Sequence, residues 1–350
     1  MKSLFLLLSL TAFTQAGPLV LYVSESGDKR LAVFHLDEAS GALERKGAVD
    51  LPGSPGSLAL SPDRRHLHAS IRSTRQAASF AIDPQTGLPG DPVLADLGFN
   101  AAYLHVDKTD RWLLAASYSD GVAGVLPLRE GKVGGAPVSV LPTGKKAHAI
   151  QTSPDNRFAF IPHVGELNKV EQLRFDAATG QLTPNEPPHL PGGAGEGPRH
   201  LAFHPNGRWV YFVNEQGLSV TLCDYDAARG TLSARQSLST VPEDWTTGSC
   251  ADIHVSADGR FLYASNRGHD SLAVFAIDPE TGRLTSRGQV PTEKTPRSFC
   301  LTPGDAWVVA AGEGSHHLIV YRRDPQTGAL SPLPPVACGK GPAWILPLRL

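Results

Sequence analysis

The chain has 350 residues, with 35 glycines and 29 prolines, a content of turn-forming residues above the average usage of roughly 7% and 5%. Hydrophobic residues make up 41% and charged residues 19%, which excludes a disordered polypeptide and provides for a large core. The formal net charge is −2 and no run of Lys or Arg exceeds a pair, which excludes the basic surface of a nucleic-acid binder.

The chain begins with a segment typical of a secretory signal. Lys2 precedes the apolar stretch 4–13, and Thr14-Gln15-Ala16 then supplies a small-x-small cleavage site. We therefore predict a signal peptide at residues 1–16, a mature chain at 17–350, and a periplasmic or secreted protein. No later span approaches 20 apolar residues, so we expect no membrane anchor.

The mature chain is built from a sequence repeat of about 50 residues, whose turns and strands are described below, and its two ends correspond to different parts of that repeat. Residues 21–34 align with 262–275, so the chain starts at the second strand of a repeat unit. Residues 341–346 align with 197–202, the start of an innermost strand. We therefore predict that the C-terminal strand completes the unit that the N-terminal strands begin, which closes a ring and removes its open edge.

Two turn motifs recur between these ends. The first motif is a turn between two apolar runs, such as 61–63 and 256–259. The second motif is an Asp followed four residues later by Gly, with a degenerate copy at 129–131, and the first motif precedes it at a nearly fixed interval. Its complete copies are Asp37–Gly41, Asp83–Gly87, Asp176–Gly180, Asp226–Gly230, Asp278–Gly282 and Asp324–Gly328. The steps of about 46 to 52 residues give seven copies.

Short runs of β-forming residues lie between the turns, as at 208–213, 261–265, 272–277 and 318–321. No window of helical length has a sustained period of 3.6 residues. Four strands in a repeat of about 50 residues are typical of a β-propeller blade. We predict an all-β fold, a seven-bladed propeller with four antiparallel strands per blade, in one domain over 17–350.

The strand order predicts that both turn motifs lie on one face and that the irregular connections surround a central funnel on the other. Two positions per repeat border this funnel, and they vary between small and charged residues. At the start of the inner strand they are Gly56, Ala102, His148, Arg199, Ala251, Arg297 and Ala343. After the second strand they are Ser26, Arg72, Tyr118, Val164, Glu215, Arg267 and Glu313.

Three consecutive blades contribute His148, Arg199 with Glu215, and Arg267, which we expect to converge on one volume. From these positions alone, a solvated funnel with ion pairs is an equally good explanation. For the histidines in or beside strands we predict packing or surface roles; these are His105, His254 and His269. The glycine-rich segment 191–197 lacks the Lys-Ser/Thr ending of a phosphate loop and is predicted to connect two blades.

Several stretches occur in the order and register of a known family. The most specific are 197–207 (GPRHLAFHPNG) and 210–215 (VYFVNE), with support from 147–148, 253–259, 265–267 and 296–297. The chain resembles the seven-bladed propeller lactonases, the family of bacterial 6-phosphogluconolactonase that also contains fungal carboxymuconate cyclase. The resemblance implies four catalytic residues, His148, Arg199, Glu215 and Arg267. We assign substrate binding to Arg72, Tyr118, His200, Arg297 and Glu313.

The resemblance implies hydrolysis of a sugar lactone by a monomer without metal or cofactor. Because 6-phosphogluconolactone is cytosolic, the predicted export favours an unphosphorylated gluconolactone-type substrate, as in the periplasmic gluconolactonases of this family. In our hypothesis Glu215 is the general base, Arg199 and Arg267 bind the carbonyl oxygen, and His148 is the general acid. The roles of Glu215 and His148 can be exchanged, because two flanking cations favour an ionised, weakly basic carboxylate.

Other functions stay open at the level of sequence. They are a non-catalytic binding platform, a cycloisomerase acting on a carboxymuconate-like dicarboxylate, and a calcium-dependent lactonase of another family, for which Asn214 and Asn266 lie near the funnel. Glucono-, galactono- and phosphorylated lactones are not ranked. The cysteines have no C-x-x-C spacing, which disfavours zinc and leaves open the pairing of Cys223, Cys250, Cys300 and Cys338.

Overall fold

A computed structural model describes residues 17–350, and the predicted signal peptide lies outside the described residues. This part of the chain forms 30 β-strands in seven sheets, with a single 3-10 turn at Gly165–Leu167. Within residues 17–350, no helix has the length and apolar composition needed to cross a bilayer. The seven sheets are the blades of a propeller, which confirms the predicted fold.

Each blade is named in chain order, and its strands are given from first to last. Blade 1 contains β1 (Leu19–Glu25), β2 (Arg30–Leu36) and β3 (Leu43–Asp50). Blade 2 contains β4 (Pro55–Leu60), β5 (His66–Ile71), β6 (Gln76–Ala81) and β7 (Val93–Asp96). Blade 3 contains β8 (Ala101–Val106), β9 (Trp112–Ser117), β10 (Val122–Arg129), β11 (Lys132–Val133) and β12 (Ser139–Pro142). Blade 4 contains β13 (Gln151–Thr152), β14 (Phe158–His163), β15 (Lys169–Asp176) and β16 (Gln181–Pro191).

The remaining three blades follow the same antiparallel order. Blade 5 contains β17 (Pro198–Phe203), β18 (Trp209–Asn214), β19 (Ser219–Asp226) and β20 (Thr231–Ser239). Blade 6 contains β21 (Ser249–Val255), β22 (Phe261–Arg267), β23 (Ser271–Ile277) and β24 (Leu284–Pro291). Blade 7 contains β25 (Pro296–Leu301), β26 (Trp307–Gly312), β27 (His317–Arg323), β28 (Leu330–Pro332) and β29 (Val336–Ala337), and β30 (Pro342–Arg349) returns to blade 1.

The ring closes where the two ends of the chain meet. Strand β30 pairs antiparallel with β1, with Leu19 opposite Arg349 and Ser24 opposite Trp344. This pairing confirms the predicted closure and gives blade 1 four strands, like blades 2, 4, 5 and 6, whereas blades 3 and 7 have a divided outer strand and five in all. The buried carboxylate of Glu25 adds a polar link, because it accepts hydrogen bonds from Arg45 at 2.7 and 2.8 Å and from the backbone N–H of Gly339 at 2.7 Å.

Apolar contacts between neighbouring blades form the core. Tyr211 of blade 5 and Phe275 of blade 6 belong to one buried cluster, and Phe34 of blade 1 and Val309 of blade 7 belong to another. Each blade therefore uses both of its faces for burial, as the apolar runs predict. The four cysteines are free thiols in this structure, and Cys338 is the least buried of them.

The two recurrent turns lie on one face, as predicted, and we call it the turn face. The arginine after the turn that joins the first and second strands reaches the Asp-to-Gly turn of the next blade. Arg157 donates to the carbonyl of Ala227 at 2.6 Å, and Arg260 donates to that of Pro325 at 3.1 Å. The funnel lies at the opposite ends of these strands, which we call the funnel face.

Most inner strands contain a β-bulge where they begin at the funnel face. In blade 5, Pro198 pairs with Asn214 and His200 pairs with Val213, so Arg199 has no partner on β18. Similar shifts occur at the start of β4, β8, β21 and β25. Because a bulge redirects side chains, two successive residues of a blade can reach the central channel.

Candidate active site

A cavity of about 430 Å³ opens at the funnel face. Its volume lies within the range of roughly 300 to 1,000 Å³ that is typical of small-molecule sites. Five of the nine predicted site residues line it, namely Arg72, His148, Arg199, Arg297 and Glu313. Neutral polar side chains complete much of the wall, among them Ser26, Ser54, Ser57, Ser73 and Asn100.

Arg199 is buried at the inner end of this cavity. Its Nε donates to Glu215 Oε2 at 2.8 Å, and its Nη1 donates to the backbone carbonyl of Ala251. Nη1 also lies over the ring of His200, 3.1 Å from Nε2. Burial, assisted by Arg297 and Arg267, lowers the pKa of Arg199 to about 9, so the side chain stays cationic at neutral pH.

Glu215 and Arg267 lie beside Arg199, outside the set of residues that lines the cavity. Glu215 Oε2 is 3.3 Å from Arg267 Nη2, which also donates to the carbonyl of Cys250 at 2.9 Å. Burial lowers the pKa of Arg267, and Glu215 opposes this shift. One carboxylate therefore holds two guanidinium groups in place, and the structure brings three of the four predicted catalytic residues into direct contact.

His148 is 6% exposed and lies on the same side of the cavity as Arg199. Its ring packs edge-on against Tyr118, with centroids 5.5 Å apart, and against His200 at 5.2 Å. Its Nδ1 is buried without a hydrogen-bond partner. Burial, with Arg199 and His200, holds the pKa of His148 well below its usual range. The imidazole is therefore neutral at pH 7 and able to accept a proton.

Further charged groups line the cavity. Arg72, Arg297 and Glu313 belong to its wall, and Arg72 Nε donates to Asn100 Oδ1 at 3.2 Å. Burial and then Arg297 lower the pKa of Arg72, while Glu313 opposes them. Two cations against one carboxylate suit a ligand that presents several oxygen atoms or a negative charge.

The residue after each bulge position contributes its side chain to one layer, which we call the floor layer. It contains Ser57, Tyr103, His200, Asp252, Ser298 and Trp344, of which Ser57 and Trp344 also line the cavity. Tyr103 contacts His200 and Trp344 edge-on, with centroids 5.3 and 5.4 Å apart. His200 is 2% exposed, and its Nδ1 lies 2.9 Å from Asp252 Oδ1. Both ring nitrogens of His200 thus face protein groups, although we assigned the residue to substrate binding from sequence.

Asp252 is the functional candidate that the sequence reasoning missed. We compared one position per inner strand, which in blade 6 is Ala251, whereas the bulge also directs the following residue into the channel. Burial by itself would raise the pKa of Asp252, but His254 and His200 hold it well below its usual range. A comparison of the next position in each repeat would have placed His200 and Asp252 in the same layer.

Two observations bear on metal binding. Within residues 17–350, one group of candidate ligand atoms lies within 4.8 Å of one another, from Asp63, His66 and Asp110, and it belongs to the turn face rather than the funnel. Asn214 and Asn266, considered for a calcium site, are 1% and 0% exposed, and neither lines the funnel cavity. These two asparagines therefore give no support to a calcium-dependent site there.

Comparisons with known proteins agree with this arrangement. The profile of a family described as lactonase, 7-bladed beta-propeller, matches residues 20–347. A 6-phosphogluconolactonase of Pectobacterium carotovorum is 35% identical over 334 residues, which cover 95% of this chain and 99% of the relative. The Klebsiella pneumoniae 6-phosphogluconolactonase is 32% identical over 328 residues, covering 93% and 98%. The periplasmic gluconolactonase of Pseudomonas aeruginosa has a similar structure, with a TM-score of 0.85 and 28% identity over 95% of this chain and 99% of its own.

Proposed function

The chain belongs to the family of seven-bladed β-propeller lactonases, and from this premise we propose that it hydrolyses a gluconolactone-type sugar lactone to the open-chain aldonic acid. The observation that carries the proposal is the position of Arg199, a buried cation at the inner end of a polar cavity and beside a neutral imidazole. Opening a lactone requires this pair of groups, a donor for the developing oxyanion and an acceptor for the proton of water.

Arg199 is suited to bind the carbonyl oxygen of the lactone. Its Nε and Nη1 contact protein acceptors, while its Nη2 has no hydrogen-bond partner among residues 17–350. This group is therefore free to donate to a ligand. As water attacks, the carbonyl oxygen gains negative charge, and a guanidinium held in advance stabilises that charge without reorganisation.

His148 is the group we assign to proton transfer. Its Nδ1 is buried, so Nε2 is the ring nitrogen that can face the cavity. Nε2 takes a proton from the attacking water, and the new C–O bond gives a tetrahedral intermediate. As the bond from the carbonyl carbon to the ring oxygen breaks, the imidazolium returns this proton to the departing oxygen. The depressed pKa of His148 keeps the imidazole unprotonated before the first step and makes the imidazolium a strong acid for the second.

Glu215 has a different role in this proposal from the one we gave it first. Its Oε2 accepts from Arg199 and lies 3.3 Å from Arg267 Nη2, and the side chain does not line the cavity in which water and lactone would meet. We assign it to holding the two guanidinium groups. His148 thus takes both proton-transfer roles in this proposal, and Glu215, the general base of the initial hypothesis, becomes a positioning residue.

The identity of the lactone is the finer part of the proposal. Arg72 and Arg297 line the cavity and can bind sugar hydroxyls or a phosphate. The predicted signal peptide favours an exported protein, and the similarity to a periplasmic gluconolactonase supports the same location. We therefore propose an unphosphorylated aldonolactone as the substrate.

A panel of lactones tests this function. Glucono-, galactono- and 6-phosphogluconolactone, together with a carboxymuconate-derived lactone, are supplied to the purified chain, and acid release is measured near pH 7. Aldonolactones open spontaneously, so the rate without protein is subtracted. We expect gluconolactone to be opened fastest. A clear preference for the phosphorylated lactone contradicts the proposed substrate, and turnover of the carboxymuconate compound alone indicates a cycloisomerase.

Two variants and a matched control test the site. Losing an oxyanion donor typically costs about 100-fold or more in turnover, which is the effect we expect for Arg199→Ala. Glu215→Gln should lower turnover as well, because it loosens both guanidinium groups. Arg235 is an arginine on the outer strand of blade 5, paired with Asp224, and Arg235→Ala should keep the wild-type rate. Wild-type rates for folded Arg199→Ala and Glu215→Gln would show that this site is wrong.

A further inference from the structure

We propose that Asp252 is a positioning residue for lactone opening, which holds the neutral ring of His200 as a support beneath Arg199. The inference rests on the proposed function, because it assigns Asp252 an effect on the oxyanion donor of that reaction. Asp252 itself is 5% exposed and is not among the residues that line the cavity, so its effect on a ligand there would be indirect.

Every polar neighbour of Asp252 can donate a hydrogen bond to it. Oδ1 accepts from His200 Nδ1 at 2.9 Å and from the backbone N–H of Ile253 at 3.0 Å. Oδ2 faces three donors, Ser298 Oγ at 3.1 Å, the backbone N–H of Phe299 at 3.3 Å and His254 Nε2 at 3.4 Å. A carboxylate offers acceptors only, so it satisfies this set, whereas an amide would direct its NH2 group against a backbone N–H in either orientation.

This environment determines which nitrogen of His200 carries the proton. A neutral imidazole has one N–H, and Asp252 requires it at Nδ1. Nη1 of Arg199 lies over this ring, 3.1 Å from Nε2 and 3.5 Å from Nδ1, so the guanidinium rests on the ring face and not on the in-plane lone pair. The N–H donated to Asp252 fixes the plane of that face, and a protonated ring would add a second buried cation beside Arg199. Burial and Arg199 lower the pKa of His200 to about 4, in agreement with a neutral ring.

The support fixes the one part of Arg199 that a ligand would use. Glu215 holds Nε, and the carbonyl of Ala251 and the His200 ring hold Nη1, so the plane of the guanidinium is determined. Nη2 then projects from a defined position. If His200 lost its bond to Asp252 and tilted, Nη2 would move relative to the carbonyl oxygen, and a displacement of about 1 Å is enough to cost a large factor in rate.

The direct experiment is Asp252→Asn in the full chain, assayed with the lactone that the panel identifies as substrate. We expect kcat to fall about 10- to 100-fold with KM within roughly 3-fold, because the change affects the transition state and not the cavity wall. His254→Ala is the matched control. It removes a donor from the other oxygen of the same carboxylate, has no contact with Arg199, and should change kcat by less than about 2-fold.

A double-mutant cycle shows whether Asp252 acts through Arg199. In the Arg199→Ala background, Asp252→Asn should cost less than about 3-fold, because the group being positioned is already absent. An undiminished loss in that background overturns the inference, and so does a wild-type kcat for Asp252→Asn. If Arg199→Ala itself retains the wild-type rate, the proposed function has failed instead, so the two failures are distinguishable.

A measurement on the unaltered protein covers the case in which Asp252→Asn does not fold. Nitrogen-15 NMR of the histidine rings near pH 7 should show His200 neutral, with its proton on Nδ1. A proton on Nε2, or a doubly protonated ring, overturns the inference. The His200 signal is identified as the one that is missing from the spectrum of a His200→Gln sample, which is used for assignment only.

Discussion

The two faces of the propeller use the same strands in different ways. On the turn face, the six Asp-to-Gly turns have one geometry, in which the glycine N–H donates to the aspartate carbonyl at 2.7 to 2.9 Å. On the funnel face, the corresponding position of each inner strand differs from blade to blade. It is glycine in blade 2, alanine in blade 3 and a buried arginine in blade 5.

The difference follows from symmetry. Each of the seven blades packs against its neighbours in the same way, so a residue that is needed for folding recurs at the same position in each repeat. A small ligand has no sevenfold symmetry, and it needs a base, an oxyanion donor and a polar wall once each. At the funnel, residues such as His148 and Arg199 differ from the equivalent residues of the other blades, and binding of a ligand explains why they differ.

Replacing His148 is expected to have the largest effect on the rate of lactone opening. It is the strongest test of the claim that the funnel face serves a ligand and the turn face serves folding. His148→Asn removes the proposed proton acceptor, and loss of a general acid or base typically costs about 100- to 10,000-fold in rate. Folding should be little affected, because Nδ1 of His148 is buried without a hydrogen-bond partner. The measurements are lactone opening above the spontaneous rate and thermal unfolding. A folded variant that opens the lactone at more than a tenth of the wild-type rate would contradict the role of His148.

Gly282→Ala is the converse experiment on the turn face. Gly282 has φ +72°, and an added Cβ would lie 2.4 Å from the ring of Trp209 in the neighbouring blade. We expect a loss of about 1 to 3 kcal/mol in the free energy of unfolding and an unchanged kcat at 25 °C. The readouts are denaturant unfolding and the same lactone assay.

Gly207 provides the matched control for this substitution. Its φ is +69°, but an added Cβ would meet no atom within 4 Å. Gly207→Ala therefore introduces the backbone strain without the clash, and should cost less than Gly282→Ala. Equal losses would assign the whole effect to the backbone, and a fall in kcat for either variant would mean that the two faces are not independent.

The repeat made the fold predictable from sequence, and the exceptions to it indicated the candidate site. Turns such as Asp278–Gly282 recur because each glycine packs against a side chain of the neighbouring blade, which is an aromatic ring in five of the six and Val20 at Gly87. The match between residues 341–346 and an inner strand predicted the pairing of β30 with β1. Both inferences need only local periodicity, which a sequence displays directly.

Depth and register were not predictable in the same way. A β-bulge adds one residue locally, so the position of Asp252 in the floor layer depends on strand pairing that the repeat does not reveal. The roles of His148 and Glu215 depend on burial and on which cations each side chain faces. These are properties of the folded ring, because residues 148 and 215 belong to different blades.

The pH dependence of the reaction is expected to show the smallest effect, and it tests whether the funnel lowers the pKa of His148. A base acts in its unprotonated form, and the pKa of His148 lies well below the ordinary value near 6.5 because the ring is buried beside Arg199. Between pH 7.5 and 6.0, kcat/KM should therefore change by less than about 2-fold, whereas an unperturbed histidine would lose about 4-fold. The assay is initial-rate lactone opening across this range, corrected for spontaneous hydrolysis at each pH.

The acid limb of this profile also separates the two candidate bases. Protonation of an imidazole has a larger ionisation enthalpy than that of a carboxylate, so a limb due to His148 moves to lower pH on warming. A limb that stays in place on warming would assign the base to Glu215 and restore our first hypothesis. A limb near pH 6.5 that moves on warming would mean that a histidine acts as base with a pKa that burial has not lowered. The funnel would then leave the pKa of this histidine as it is on an exposed surface.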